Sequence, residues 1–168
     1  MDAIKNALQA AVPAAFKDAR MTMEAALFTS TIDPAIAQTS AYAVAVSRGN
    51  KTLANILAQG LPEDRVEQGN VAAAIMGMTN VYYSYIDYVG LPGLKSLPAQ
   101  IRMVSYGQQA GKDKVGFEVA TLAVSIAGRC KSCISAHASE LQKHGFTDEN
   151  FRDVGRLAAA VNSLANIV

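Results

Sequence analysis

Both cysteines of the chain and one of its two histidines fall in a single run, GRCKSCISAH, residues 128–137. With a helix starting near Arg129 or Cys130, just after Gly128, Cys130 and Cys133 sit three apart on its first turn, within reach of a disulfide. His137, four residues beyond Cys133, lies on the same face. The unsatisfied amides and positive dipole end of a helix start stabilise a thiolate, which at neutral pH is a nucleophile. Upstream, Glu118 interrupts the apolar segment VGFEVATLAVSIAG, residues 115–128. If that segment is a buried helix, the carboxylate must be protonated or paired, with His137 a candidate partner; on a solvated face it would need neither. Carboxylate, imidazole and thiol then take the places of orienter, base and nucleophile in covalent catalysis.

The residue types leave other chemistries open. A zinc site could recruit Cys130, Cys133 and His137 with His144 or Glu118 as fourth ligand, although the usual second Cys/His pair is absent. A redox carrier without its own turnover would use the same cysteine pair. His144, directly before Gly145, reads more simply as a cation at a helix C-terminus. The methionine- and tyrosine-rich run MGMTNVYYSYIDY reads as core or subunit interface.

The elements that must position these groups read as helices nearly throughout, giving an all-α, single-domain helical bundle over residues 1–168. Asp33 caps a helix opening at Pro34 and closing at Gly49. A second starts at Pro62 with acids in its first turn, and another is expected over SLPAQIRMVSYGQQAG, with Ile101, Val104 and Tyr106 among its apolar positions. Thr147 caps the last. Residues 115–128 have strand propensity, but the run is long for a strand and has no partner strands, so it reads as a helix. AVSRGNKTLANIL, residues 45–57, repeats at an offset of eighty, setting Asn50, Leu53 and Leu57 against Cys130, Cys133 and His137. AAIMGMTNV and AAVNSLANI match at a slightly larger offset. The chain therefore reads as one helical hairpin used twice, with the chemistry in the second half, about residues 112–168.

Composition narrows the partners. The chain is 51% hydrophobic and 17% charged with a formal net charge of +1, and its basic residues are scattered beside acids, which argues against nucleic acid. No apolar run approaches the roughly 20 residues of a membrane span. High apolarity without a span suggests surface buried between subunits. With no signal sequence evident, the expected compartment is the reducing cytoplasm, where a close cysteine pair is redox-active or metal-binding more often than structural.

Glu118, eleven intervening residues, Cys130-x-x-Cys133, three more and His137 together resemble the active-site signature of the alkyl hydroperoxidase D family, in the carboxymuconolactone decarboxylase-like superfamily. AAIMGMTNVYY and FEVATLAVSIAGRC resemble the corresponding helices of that family, and the resemblance spans essentially the whole chain. It implies an all-helical homotrimer that reduces alkyl hydroperoxides with no bound haem or flavin. In that reading Cys133 is the peroxidatic thiolate, passing through a sulfenic acid, and Cys130 resolves it to the Cys130–Cys133 disulfide. Glu118 and His137 form the proton relay. The implied electron donor is the dihydrolipoyl group of a 2-oxoacid dehydrogenase E2 subunit, and the implied recipient is the peroxiredoxin alkyl hydroperoxide reductase C. Some members of the family carry a histidine where this chain has Ser132, whose hydroxyl cannot act as a base near neutral pH. The relay here is then left to Glu118 and His137.

Overall fold

The structure is a computed structural model and describes residues 2–168. The helices are α1 (Asp2–Ala11), α2 (Lys17–Phe28), α3 (Pro34–Ser47), α4 (Lys51–Leu57), α5 (Glu63–Val89), α6 (Pro92–Lys95), α7 (Val104–Lys112), α8 (Lys114–Ala127), α9 (Lys131–Lys143) and α10 (Asp148–Leu164). There is no strand among the described residues, so the chain is all-α. No helix among them is long and apolar enough to cross a membrane.

The valine-rich segment that could have been a strand is α8, the central helix. Phe117, Val119, Ala120, Thr121, Ala123 and Ser125 are all fully enclosed. A helix apolar all round belongs in the middle of a bundle, and its small residues let α3 pack closely across it. Two longer helices, α5 and α10, each pack against both α3 and α8. α2 packs mainly against α10, and α9 packs against α8 and α5.

Local chemistry sets the ends. Asp33 accepts from the amides of Ala35 and Ile36 ahead of Pro34, and Thr147 with Asn150 forms a reciprocal capping box on α10. α5 begins at Glu63 with Pro62 as its cap residue, one position later than the sequence suggests, and Gly90 ends it at φ 66°. The helix expected from about residue 96 starts only at Val104. Pro98 biases its predecessor towards extended backbone and supplies no amide, and Gln100 adopts φ 53°, so the chain cannot wind there. Ile101 lies in the resulting irregular segment, and α6 forms a separate turn.

The repeat is visible in the backbone. In α3–α4 the turn residue Gly49 has φ 71°, the Asn50 amide donates to Ala45 O at 3.1 Å, and the Asn50 side chain accepts from the Leu53 amide at 2.8 Å. In α8–α9, eighty positions later, Arg129 has φ 56°, the Cys130 amide donates to Ser125 O at 3.2 Å, and Cys130 Sγ accepts from the Cys133 amide at 3.3 Å. The two hairpins share one turn, and the cysteine sulfur replaces an asparagine oxygen as the cap.

Candidate active site

Cys130 is the cap residue of α9, one position before its first helical residue, which places both sulfurs at the helix start. They are joined as a disulfide with the Cα atoms 5.3 Å apart. Cys130 is completely enclosed, whereas Cys133 retains 6% exposure. The sulfur of Cys133 lies 3.8 Å from the Thr79 carbonyl oxygen on α5. One turn further along α9, His137 is directed at α8, where its Nδ1 lies 2.8 Å from Oε2 of Glu118. All four residues singled out from the sequence therefore converge, and the open choice for Glu118 resolves as pairing.

Glu118 is 1% exposed and collects three donors. The Tyr106 hydroxyl on α7 donates to Oε1, Lys114 Nζ lies 3.0 Å from the same oxygen, and His137 holds Oε2. Burial alone would keep this carboxyl protonated, but the bonds from His137, Tyr106 and Lys114 outweigh it and pull its pKa down to about 2. Burial and the neighbouring Glu118 charge push the Tyr106 phenol well above its ordinary range, so it keeps its proton and acts as donor.

An ionised Glu118 fixes the imidazole. The proton on Nδ1 points at the carboxylate, and we assign the neutral ring the tautomer that leaves a lone pair on Nε2. The Thr121 hydroxyl, 3.3 Å from Nδ1, steadies the same edge, and Tyr106 lies roughly parallel to the ring at a centroid separation of 6.3 Å. Nε2 packs 3.2 Å from Met76 Sδ, a thioether that has no proton to donate to it. A cavity of about 270 Å³ opens over Cys133 and His137, with Met76, Tyr83, Met103 and Tyr106 among its walls. Its lining is mostly apolar, and a base and a sulfur are the reactive groups facing it.

His144 lies elsewhere. It is the C-cap of α9, 3.7 Å from Glu140, and eleven residues of helix put it about 16 Å along the axis from Cys133. That distance rules it out as a fourth ligand beside the cysteines. Among the described residues no group of three or more His, Cys, Asp or Glu could hold a metal ion. Ser132, between the cysteines, donates to Asp87 Oδ2 on α5, and Asp87 also accepts from Lys95 at 3.1 Å. Ser132, then Lys95, holds the Asp87 carboxyl below its ordinary range.

Tyr106, Lys114, Thr121 and Met76 are the site residues that sequence reasoning missed. Lys114 and Thr121 were readable in principle, standing four before and three after Glu118 on one helix. Tyr106 and Met76 arrive on other helices, and no spacing announces them.

Residues 92–168 match the model of the carboxymuconolactone decarboxylase family. The chain is also similar to proteins called alkyl hydroperoxide reductase AhpD. That of Rhodospirillum centenum is 34% identical over 97% of this chain and 89% of its own length. That of Maricaulis maris is 34% identical over 100% of this chain and 96% of its own. That of Coxiella burnetii is 37% identical over 76% and 73%. Similarity of this extent spans both hairpins as well as the cysteine-bearing half, and the chain belongs to the alkyl hydroperoxide reductase AhpD family.

Proposed function

We propose that the chain is a thiol peroxidase that reduces alkyl hydroperoxides through a Cys130–Cys133 dithiol–disulfide cycle. The observation that carries this is the directed line from ionised Glu118 to His137 to the cavity that Cys133 faces. With both cysteines reduced, His137 Nε2 takes the Cys133 proton. The thiolate attacks an oxygen of the hydroperoxide, the O–O bond breaks, and Cys133 becomes a sulfenic acid. The departing alkoxide takes the proton back from His137 and leaves as alcohol. The Cys130 thiol then attacks the Cys133 sulfur and expels water, closing the disulfide before further oxidation. One hydroperoxide and two thiols thus give one alcohol, one water and one disulfide. The apolar lining suits an organic hydroperoxide.

The names of the relatives support peroxide chemistry for this chain. The finer elements of the proposal follow the family resemblance. Electrons come from the dihydrolipoyl group of a 2-oxoacid dehydrogenase E2 subunit, and the peroxiredoxin alkyl hydroperoxide reductase C is a further partner. No haem, flavin or metal takes part, and the cycle runs in the cytoplasm, where reduced thiols are maintained. The assembly is a homotrimer. An exposed apolar stripe on α5, Met78, Val81 and Tyr85, at helical spacing, supports self-association.

Steady-state consumption of an alkyl hydroperoxide by wild type and Cys133→Ser, with dihydrolipoamide as reductant, tests the reading. Turnover that needs dihydrolipoamide and vanishes in the variant is expected. Absence of turnover in wild type, with a disulfide that dihydrolipoamide still reduces, would favour a redox carrier instead.

A further inference from the structure

The end of α5 and the first two turns of α9 enclose a second cleft of about 780 Å³, distinct from the cavity over Cys133 but sharing Ser132 and Ala136 with its wall. Its charged lining is Lys95, Arg129, Lys131 and Asp87. Asp87 is already engaged by Ser132 and Lys95. Arg129 and Lys131 are exposed and make no ion pair among the described residues, so the cleft carries uncompensated positive charge.

The backbone gives an independent sign that Arg129 is there for its side chain. It adopts φ 56°, and its counterpart in the first hairpin is Gly49 at φ 71°. Glycine occupies this conformation without steric cost, whereas another L-residue is destabilised by about 1–2 kcal/mol. Strain tolerated at one residue beside a reactive group is a pointer to function.

Cys130 is enclosed, so a reductant must meet the disulfide at Cys133, through a cavity that shares Ser132 and Ala136 with the cationic cleft. We propose that the cleft formed by Arg129, Lys131 and Lys95 docks the acidic face of the protein that delivers the reducing dithiol. This rests on the dithiol–disulfide cycle proposed above. In the docked complex a donor thiolate attacks Cys133 Sγ, the Cys130–Cys133 bond breaks, and Cys130 leaves as a thiolate that accepts the Cys133 amide before taking up a proton. The donor's second thiolate then attacks the donor sulfur of the mixed disulfide and expels Cys133. The donor ends as a disulfide, its two protons and two electrons now on the two cysteines.

Binding to the oxidised enzyme tests this without turnover. The probe is an isolated lipoyl domain with acidic residues beside its lipoyl lysine, together with the same domain bearing those acids as amides. We expect Arg129→Gly combined with Lys131→Glu to weaken binding of the acidic domain at least tenfold, and 500 mM NaCl to do the same to wild type. Arg129→Gly alone should lower affinity while leaving the melting temperature equal or higher, because glycine suits the turn. Binding that ignores the substitutions and salt, or that falls equally for the amide domain, would overturn the proposal. Failure of wild type to turn over peroxide with free dihydrolipoamide would instead count against the peroxidase reading, since that neutral donor needs no docking.

Discussion

Glu118→Gln changes no volume and almost no shape, yet it should disable the site. Three donors converge on Glu118, two on Oε1 and one on Oε2. An amide offers one accepting oxygen and turns its nitrogen into a donor. If the oxygen stays towards Tyr106 and Lys114, the new NH2 faces His137 Nδ1, and the imidazole must move its proton to Nε2. The base is then blocked on the side that faces the cavity. Loss of a general base costs typically about 10²–10⁴ in rate, and we expect peroxide turnover to fall within that range at pH 7. Stability should report the same charge. The folded-state pKa of Glu118, about 2, lies below its ordinary value of 4.5. At 1.36 kcal/mol per unit that difference is worth about 3 kcal/mol, present above pH 4.5 and lost as pH falls towards 2. Urea denaturation at pH 7 and pH 3 should therefore show wild type losing part of this contribution on acidification, and the variant, already without it at pH 7, losing less. Nitrogen-15 shifts of His137 should report the change of tautomer. A variant that turned over peroxide within threefold of wild type, with the same acid sensitivity, would refute the reasoning.

Two further substitutions probe the support of the site. Tyr106→Phe removes the hydroxyl bond to Glu118 and keeps the ring beside His137 and Phe117. It should cost about 1.5–3 kcal/mol, the range for a bond to a charged group, and raise the carboxyl pKa, seen as acid unfolding that begins at higher pH. Gly128→Ala places a Cβ 2.4 Å from Asn80 Nδ2, which bonds Val124 O, while Asn80 Oδ1 accepts from Ser125. Displacing that buried amide should lower stability by about 1–3 kcal/mol, measured by thermal melting, with a larger loss in activity than any surface alanine because the turn carries Cys130.

The legible parts of this protein were those in which one segment carries the whole signal. Asp33–Pro34 and Thr147 announced their helix starts by cap chemistry alone. Cys133 and His137 share one helix and Cys130 caps it, so their spacing set their mutual placement. Glu118 stood out because a charge in an apolar run demands a partner. The start of α7 was lost because Pro98 and the left-handed Gln100 override a pattern of apolar residues that reads as helical. Tyr106 was visible only as an apolar position, since its polar role exists only once α7 lies across α8. The turn repeat was readable as a faint string match, but the equivalence of the Asn50 oxygen and the Cys130 sulfur as caps is a three-dimensional fact.

The central claim is that Cys133, served by His137 and Glu118, is the atom that meets the peroxide. Reduced Cys130→Ser exposed to one equivalent of an alkyl hydroperoxide in the presence of dimedone, followed by peptide mass spectrometry, tests it most directly. The account predicts one equivalent of alcohol and a dimedone adduct on Cys133. Rapid alcohol formation without an adduct on Cys133, or an adduct on Cys130 in the converse Cys133→Ser protein, would contradict it.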